Sequence, residues 1–504
     1  MLNIPLDYFR SVMSAVLSSG PGDAARNVKH VLSVAALLGL IHVVGVLRGG
    51  VSAHQLEFDA VERYGLLVTC LIYGLQCLVL VPLPFFVFNF LGVVLLNVFT
   101  AKPKLRQPAL SRSPFLCFRV VTRGLFPKLV GDNVRHNSRI CRDMGLCNYT
   151  FEVVTDIPVN LVADADTETK TELQRQQQNH HSTSRYREVV VPGDYSTQSG
   201  SLFKARALQY ALEPGVCRLR PGDWIVHLDE ETLLTEESLV GILNFAGSAQ
   251  HSFGQGVITY GHGKVVNWIT TLADSIRVGI DYGCLRFSLG VLHKPIFSWK
   301  GSFIVADWEA ERDISFDHGP EASIAEDCFF ACVAFSKGYS FGIVDGDMLE
   351  KSTFTIKDFV RQRHRWMHGI LLTALSKKIP FRYKVGPVLM SLAGCTMPFN
   401  MLLFPISLVW PMPPSPVMYH IYTFVVGTIT YLFILGTLQT FSVKQHGLVK
   451  CFVLVIATVL CGVFASLLEN ISSLLVYWLP KSSTLRSGFY VVNKQVDGHC
   501  MKVA

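Results

Sequence analysis

The fold is decided by the stretch Trp224-Ile-Val-His-Leu-Asp-Glu-Glu-Thr232, in which a short apolar run ends abruptly in acidic residues. Its β-branched and aromatic side chains predict a buried strand over Trp224–Leu228. Similar runs predict further strands at Phe118–Thr122, Phe151–Thr155, Arg187–Val191, Gln255–Tyr260 and Ser340–Val344. Helices are predicted between them at Asn133–Gly145, Ser201–Leu212 and Glu236–Phe245. This alternation predicts an α/β domain with a mostly parallel, doubly wound sheet.

The composition indicates a chain that is partly embedded in a membrane. Of its 504 residues, half are apolar and only 16% are charged, and the mean hydropathy is +0.35. A soluble enzyme usually carries about 25% charged residues. The net charge of +7 is modest and no basic patch alternates with aromatic residues, so nucleic-acid binding is not expected. The thirteen cysteines include no Cys-x-x-Cys pair, which argues against a zinc site and favours a reducing cytosol for the polar residues.

Five apolar runs approach or exceed the length that crosses a bilayer, whose core of about 30 Å needs about 20 helical residues. They are Val31–Leu47, Leu66–Phe99, Val385–Trp410, Val417–Phe441 and Cys451–Leu479. The second run contains Pro82 and Pro84 and is expected to form a kinked span that continues along the membrane surface. The third contains Pro398 and Pro405 and is a candidate for a broken or partly re-entrant helix.

Basic residues near the ends of these runs orient the chain. They precede the first run, follow the second and lie between the last two, which predicts a cytosolic N-terminus and a cytosolic polar middle. Four basic residues after Leu479 oppose this assignment and leave open a sixth crossing, or one run that dips without crossing. The predicted organisation is a membrane region with two spans, a cytosolic domain, an interfacial amphipathic helix, a membrane region with about three spans and a tail, at residues 1–100, 101–356, 357–384, 385–480 and 481–504. The Gln-, His- and Ser-rich segment Asp164–Arg185 is expected to be a mobile loop.

Acidic residues follow two of the predicted strands, at the sheet edge where ligands of parallel sheets bind. Asp156 could accept hydrogen bonds from a nucleobase or a ribose, and an aspartate that caps a turn is the alternative. Asp229 and Glu231 are two positions apart, so in an extended chain both side chains point the same way. They could hold Mg²⁺ or Mn²⁺ together with diphosphate oxygens, although an acidic helix N-terminus explains them equally well.

Two further clusters combine charged and apolar residues. Glu326 and Asp327 open an apolar helix, where a raised pKa would suit a general base, and helix capping is the alternative. Gln362, Arg365 and Trp366 are spaced i, i+3 and i+4 and therefore share one helix face. An amide, a guanidinium and an indole can hold a diphosphate and stack a sugar ring. A basic helix that lies on the membrane is the alternative, and both interpretations can hold together.

These four motifs, in this order in an α/β domain between membrane spans, resemble those of the glycosyltransferase family 2 membrane synthases. Lys204-Ala-Arg-Ala-Leu is similar to the donor-side helix of that family, and Gly301-Ser302-Phe303 to its acceptor-side turn. The resemblance implies a GT-A-like domain and hexosyl transfer. Most of the chain is also similar to the β-1,4-mannosyltransferases of invertebrate glycosphingolipid synthesis. That similarity implies GDP-mannose as donor, glucosylceramide as acceptor, and a place in the Golgi or endoplasmic reticulum membrane with the catalytic domain facing the cytosol.

The resemblance also implies a role for each matching residue. The catalytic base would be Asp327, with Glu326 beside it, and the metal ligands would be Asp229 and Glu231. The donor would be bound by Asp156, Lys204, Asp229 and Arg365. The acceptor would be bound by Gly301, Ser302, Gln362 and Trp366. Glu231 replaces the second aspartate of the family motif, which leaves the choice between Mg²⁺ and Mn²⁺ open. One base without a second carboxylate as nucleophile implies a single displacement with inversion.

Three other functions are compatible with the sequence. A processive polysaccharide synthase of the cellulose, chitin or hyaluronan type shares the motifs, but the spans offer little polar lining beyond Glu469 and Asn470. A transporter with a regulatory domain needs intramembrane charges, and only Glu469 qualifies. A non-catalytic sugar-nucleotide binder is the third. Asn148-Tyr-Thr is a glycosylation sequon that would stay unused in a cytosolic domain. The sequence gives no indication of the oligomeric state.

Overall fold

A computed structural model of the protein describes residues 21–47, 58–106, 113–161, 185–297, 299–478, 495–496 and 499–500. Of the segment Asp164–Arg185, only Arg185 falls within these ranges, and the predicted tail is represented by two short strands alone. The strands are β1 Leu116–Thr122, β2 Tyr149–Thr155, β3 Tyr186–Val190, β4 Trp224–Leu228, β5 Phe253–Thr259, β6 Ile304–Asp307, β7 Phe341–Leu349, β8 Gln495–Val496 and β9 His499–Cys500.

The first seven strands form one sheet in the order β3-β2-β1-β4-β6-β5-β7. Strand β6 runs antiparallel to both of its neighbours, and the remaining pairs are parallel. The predicted α/β fold with a mostly parallel sheet is therefore confirmed. The sequence interpretation missed β6, which has only four residues, and it ended β7 at Val344, five residues before the strand ends.

Sixteen α-helices are found in the described residues, on both faces of the sheet and among the apolar segments. They are α1 Pro21–Leu47, α2 Ala60–Tyr64, α3 Leu66–Cys77, α4 Leu83–Leu95, α5 Pro127–Asp143, α6 Phe203–Tyr210, α7 Glu236–Ser248, α8 Trp268–Ile280, α9 Arg286–Gly290, α10 Trp308–Ile314, α11 Glu326–Ser336, α12 Ile356–Leu375, α13 Val385–Val409, α14 Pro416–Thr440, α15 Val443–His446 and α16 Leu448–Ser473. The three helices predicted between strands correspond to α5, α6 and α7. The sequence interpretation did not predict α8, α9 or α10.

Five helical segments of the described residues are long and apolar enough to cross a membrane. They are Gly22–Leu47, Leu66–Leu95, Val385–Val409, Pro416–Thr440 and Leu448–Trp478. The chain is thus a polytopic membrane protein, as predicted. A 3₁₀ turn at Leu78–Leu80 interrupts the second segment just before Pro82. Helix α13 instead runs without a break through Pro398 and Pro405, so the suggestion of a broken helix was wrong.

The sheet domain and the apolar helices pack directly on each other through glycines. A β-carbon on Gly436 of α14 would lie 1.8 Å from the carbonyl oxygen of Ser275 in α8. One on Gly279 of α8 would lie 2.2 Å from the carbonyl oxygen of Leu432. Only glycine permits such an approach of two helix backbones, as is common between membrane helices. Helix α8 is therefore held tightly against the fourth apolar segment.

Candidate active site

The carboxyl ends of β1, β2 and β4 border a cavity of about 910 Å³. Thr122, Asp156 and Asp229, each at or just after the end of one of these strands, lie in its wall. The cavity is also lined by every candidate residue from the sequence, namely Asp156, Lys204, Asp229, Glu231, Gly301, Ser302, Glu326, Asp327, Gln362, Arg365 and Trp366. Residues separated by more than 200 positions therefore meet at one site, although their individual roles remain predictions.

Lys204 lies at the centre of the acidic cluster. Its Nζ lies 2.7 Å from Asp229 Oδ1 and 3.6 Å from Glu326 Oε1, and it donates a hydrogen bond of 3.0 Å to the Gly301 carbonyl oxygen. Burial opposes the charge on Lys204, but the carboxylates of Asp229 and Glu326 outweigh it and hold the pKa of the ammonium group above its ordinary value. The side chain is therefore a fixed positive charge.

Asp327 has the properties required of a general base. Helix α11 begins at Glu326, so both acids lie in its first turn, where the Cys328 N–H donates a 2.7 Å hydrogen bond to Asp327 Oδ1. Burial, and then the neighbouring charge of Glu326, raise the pKa of Asp327 to about 7. A carboxyl group with that pKa can accept a proton near neutral pH and lose it again.

The segment after β4 is a turn and not the extended chain assumed from the sequence. The Thr232 N–H donates to the Asp229 carbonyl oxygen at 3.0 Å, which closes the turn. Thr122 donates a hydrogen bond to the Glu230 carboxylate, and Asp229, Glu230 and Glu231 all line the cavity. The Asp229 N–H is fixed by two hydroxyl groups, Thr232 Oγ1 at 3.2 Å and Ser302 Oγ at 3.1 Å.

The donor set fits a hard divalent cation only if the substrate completes it. No group of three His, Cys, Asp or Glu side chains placed to hold a metal occurs among the described residues. Asp229 and Glu231 supply two carboxylates in the cavity wall. Mg²⁺ is commonly held by one or two carboxylates together with substrate phosphates and water. Two acids at the cavity therefore match a cation that arrives with a diphosphate.

Asp156 lies at a separate end of the cluster. Its Oδ1 is 3.2 Å from Arg206 Nη2, and Arg206 Nη1 donates to the Tyr195 carbonyl oxygen at 2.9 Å. About two-fifths of the Asp156 side chain is exposed. A partly open carboxylate beside an arginine can accept hydrogen bonds from a sugar or from the edge of a nucleobase.

Helix α12 brings the fourth motif to the cavity that contains Asp327. A hydrogen bond of 3.0 Å from the Asp358 N–H to Thr355 Oγ1 caps its start. A β-carbon on Gly369 would lie 2.4 Å from the Ala325 β-carbon, so α12 passes close to the residue that precedes α11. The face with Gln362, Arg365 and Trp366 lines the same cavity as Asp327.

Trp366 contacts two arginines that the sequence motifs do not include. The guanidinium carbons of Arg277 and Arg363 each lie 4.5 Å from the centroid of its ring, a distance typical of cation–π contacts. Arg363 is buried and pairs with Asp274 at 2.5 Å and with Glu469 at 3.4 Å. Glu469, the intramembrane acid that a transporter would need, is therefore engaged with helix α12.

Glu350 is a cavity residue that the sequence interpretation missed. It follows β7 directly, and its Oε1 accepts a 2.6 Å hydrogen bond from Thr232 Oγ1. Burial, followed by the charges of Glu231 and Asp229, raises its pKa to about 7. Glu350 could have been found in the sequence as an acid just after a strand, as Asp229 was. The predicted strand ended too early for this, because Asp345-Gly346-Asp347 has the composition of a turn.

Gly301 provides a prediction about the space around the base. A β-carbon there would lie 3.2 Å from Lys204 Nζ and 3.3 Å from Asp327 Oδ2, closer than ordinary van der Waals contact. We expect Gly301→Ala to displace both groups by a few tenths of an ångström and to lower the turnover rate about tenfold without lowering the melting temperature. Gly290→Ala is the control, because its β-carbon would meet only Ile343 Cγ1 at 3.5 Å. Equal turnover in the two variants would contradict tight packing at Gly301.

The fold and the site define a membrane-bound glycosyltransferase. Residues 224–435 match the family model "Glycosyl transferase family group 2". The chain is 43% identical over 471 residues to beta-1,4-mannosyltransferase egh of Drosophila melanogaster. The alignment covers 93% of this chain and 98% of the Drosophila protein. The chain is 44% identical over 475 residues to beta-1,4-mannosyltransferase bre-3 of Caenorhabditis elegans, with 93% and 99% covered. The chain therefore belongs to the family of egh and bre-3 within glycosyltransferase family 2.

A solved structure also resembles this chain at low similarity. It is the mannosyltransferase PcManGT from Pyrobaculum calidifontis in complex with GDP-Man and Mn²⁺, at 14% identity and a TM-score of 0.41. The match covers 81% of this chain and all of that one. A likeness at this TM-score carries no argument about chemistry.

Proposed function

We propose that the protein transfers one mannose from GDP-mannose, in β-1,4 linkage, to the glucose of glucosylceramide. The observation that carries the chemistry is the single cavity in which Asp327, with a pKa of about 7, lies beside Lys204 and Asp229. The names of egh and bre-3, at more than 40% identity over nearly the whole chain, support the sugar and the linkage.

The reaction requires groups that offset the charge of the departing diphosphate. Lys204 is a fixed cation in the cavity wall, and Arg365 of α12 is the second candidate. Positive groups placed where charge develops lower the barrier most when water is excluded. Asp229 and Glu231 would hold a divalent cation, which would supply further positive charge to the diphosphate oxygens when bound.

Asp327 then acts on the acceptor. Its carboxylate would take the proton from the attacking hydroxyl group of the acceptor as the new glycosidic bond forms at the anomeric carbon. No covalent intermediate is needed, because one displacement inverts an α-linked donor to a β-linked product. Trp366 would provide an aromatic surface for the acceptor sugar, whose lipid would remain among the apolar helices beside α12.

Membrane orientation is part of the proposal. We place the cavity on the cytosolic side of an endomembrane, in agreement with the basic residues that flank the apolar segments. Asn148 donates a 3.1 Å hydrogen bond from its side-chain amide to the Ser113 carbonyl oxygen, which is consistent with an unmodified sequon. A glycan on Asn148 in the native protein would contradict this orientation.

The activity is tested by incubating membranes that contain the protein with glucosylceramide and a panel of nucleotide sugars, followed by mass analysis of the lipid. We expect addition of one hexose with GDP-mannose alone and a product that β-mannosidase removes. A ladder of products would indicate a processive synthase instead. Binding of GDP-mannose without transfer or hydrolysis would indicate a non-catalytic binder.

A further inference from the structure

Arg277 is a cavity residue that belongs to none of the motifs. It lies on α8, and its half-buried side chain lines the cavity together with Trp366. The close contacts of Gly279 and Gly436 fix α8 against an apolar helix. The backbone position of Arg277 is therefore set by the contact between α8 and an apolar helix.

The guanidinium of Arg277 bridges two aromatic rings. Its central carbon lies 4.9 Å from the centroid of the Tyr260 ring and 4.5 Å from that of Trp366. Its Nη1 lies 3.5 Å from Asp274 Oδ1, a longer contact than the 2.5 Å between the same oxygen and Arg363. The charge of Asp274 is thus already balanced by a buried arginine, so neutralising that acid does not by itself account for Arg277.

The groups around Arg277 keep its guanidinium protonated and therefore a donor of hydrogen bonds. Burial opposes its charge, but Tyr260 and the carboxylates of Asp274, Asp281 and Glu350 raise its pKa above the ordinary value. A sugar hydroxyl carries no net charge and can accept a hydrogen bond from a guanidinium group, which has five N–H donors in a fixed plane.

We propose that Arg277 binds the acceptor, donating hydrogen bonds to hydroxyl groups of the terminal sugar of the lipid while that sugar lies against the Trp366 ring. An aromatic ring and a planar set of donors match the two surfaces of a hexose, its apolar face and its ring of hydroxyls. This inference rests on the proposed function, since it takes the acceptor to be a lipid-linked neutral sugar.

The test is steady-state kinetics of Arg277→Lys, which keeps the charge but loses the planar set of donors. Arg286→Lys is the matched control, because Arg286 is also half-buried beside a tyrosine ring, at 5.6 Å from Tyr282, but does not line the cavity. For R277K we expect the KM for glucosylceramide to rise about 10- to 100-fold, as for loss of a hydrogen bond to a charged group. The KM for GDP-mannose and the hydrolysis of GDP-mannose without acceptor are expected to match R286K.

Deoxy analogues of glucosylceramide identify the contact itself. Removing the hydroxyl group that Arg277 binds should weaken the wild-type enzyme but have little further effect in R277K, so the two changes are not additive. Arg277→Gln, whose side-chain amide still donates hydrogen bonds, provides a second variant if R277K is poorly folded. Its KM for glucosylceramide is also expected to rise. GDP-mannose affinity reports folding of the site in both.

Two results would overturn the assignment of Arg277 while leaving the proposed function intact. A rise in the KM of R277K for GDP-mannose would place Arg277 at the diphosphate. Kinetics of R277K equal to those of R286K would show that Arg277 has only a structural role. If instead the wild-type enzyme transfers no sugar to glucosylceramide, the proposed function fails and the Arg277 inference fails with it.

Discussion

Asp327→Asn is expected to abolish detectable transfer while GDP-mannose still binds. General base catalysis contributes roughly 10²–10⁴-fold to rate, and an amide of the same shape cannot accept the proton. The side chain lies where burial and Glu326 raise its pKa to about 7, and Gly301 leaves room beside Asp327 Oδ2. The measurement is the initial rate of mannolipid formation, together with the dissociation constant for GDP-mannose.

Asp313→Asn is the control for a change from carboxylate to amide elsewhere. Asp313 is exposed, pairs with Lys337 at 3.1 Å and does not line the cavity. We expect it to retain wild-type turnover. Turnover of D327N within a few-fold of that of D313N would remove Asp327 from the role of base.

The pH dependence gives an independent test of the same residue. A general base must be deprotonated, so kcat/KM should fall about tenfold per pH unit below a limb near pH 7. Burial is the largest cause of the raised pKa and Glu326 the second, ahead of Asp229, so Glu326→Gln removes the larger of the two charge effects. The pKa of Asp327 should then fall, and the acidic limb should move to lower pH. A limb that stays in place would show that Glu326 does not act on the base.

The elements that were predictable from the sequence have a local cause. Strand β4 is a buried apolar run that ends in acids, and α11 and α12 have their charged residues at positions that depend only on helical spacing. The parallel sheet then brings strand ends to one edge, which explains why Asp156 and Asp229 meet the same cavity.

What the sequence could not give depends on contacts between distant segments. Arg277 belongs to the site because glycines place α8 against α14 and because Trp366 arrives from another helix. Glu350 belongs to it because β7 continues through Asp345-Gly346-Asp347 by pairing with β5, across a register shift between Gln255 and Val257. Neither partner is visible in the local pattern.

Removal of divalent cations is expected to lower turnover by at least about 100-fold, a typical cost of losing charge stabilisation at a leaving group. The physical reason is that the cation would add positive charge beside Asp229, where Lys204 is already paired with carboxylates. Lys204 is already 2.7 Å from Asp229, so it offsets only part of the charge that a departing diphosphate adds. Because Lys204 remains, we expect some residual turnover in excess chelator. Addition of Mg²⁺ or Mn²⁺ should restore the full turnover rate.

Two neighbouring glutamates separate a metal site from a general loss of negative charge. Glu231→Gln should raise the cation concentration at half-maximal activity about tenfold, and should weaken the cation-dependent part of GDP binding in the same proportion. Glu230→Gln is the matched control, because Glu230 also lines the cavity but its carboxylate accepts a hydrogen bond from Thr122 at the end of β1. The second acid of the pair is a glutamate, with one more methylene than aspartate to reach a cation from the turn closed between Thr232 and Asp229. If E231Q and E230Q need the same cation concentration, or if the wild-type enzyme turns over fully in excess chelator, Lys204 and Arg365 must balance the diphosphate without a cation. The turn would then serve only to position Asp229.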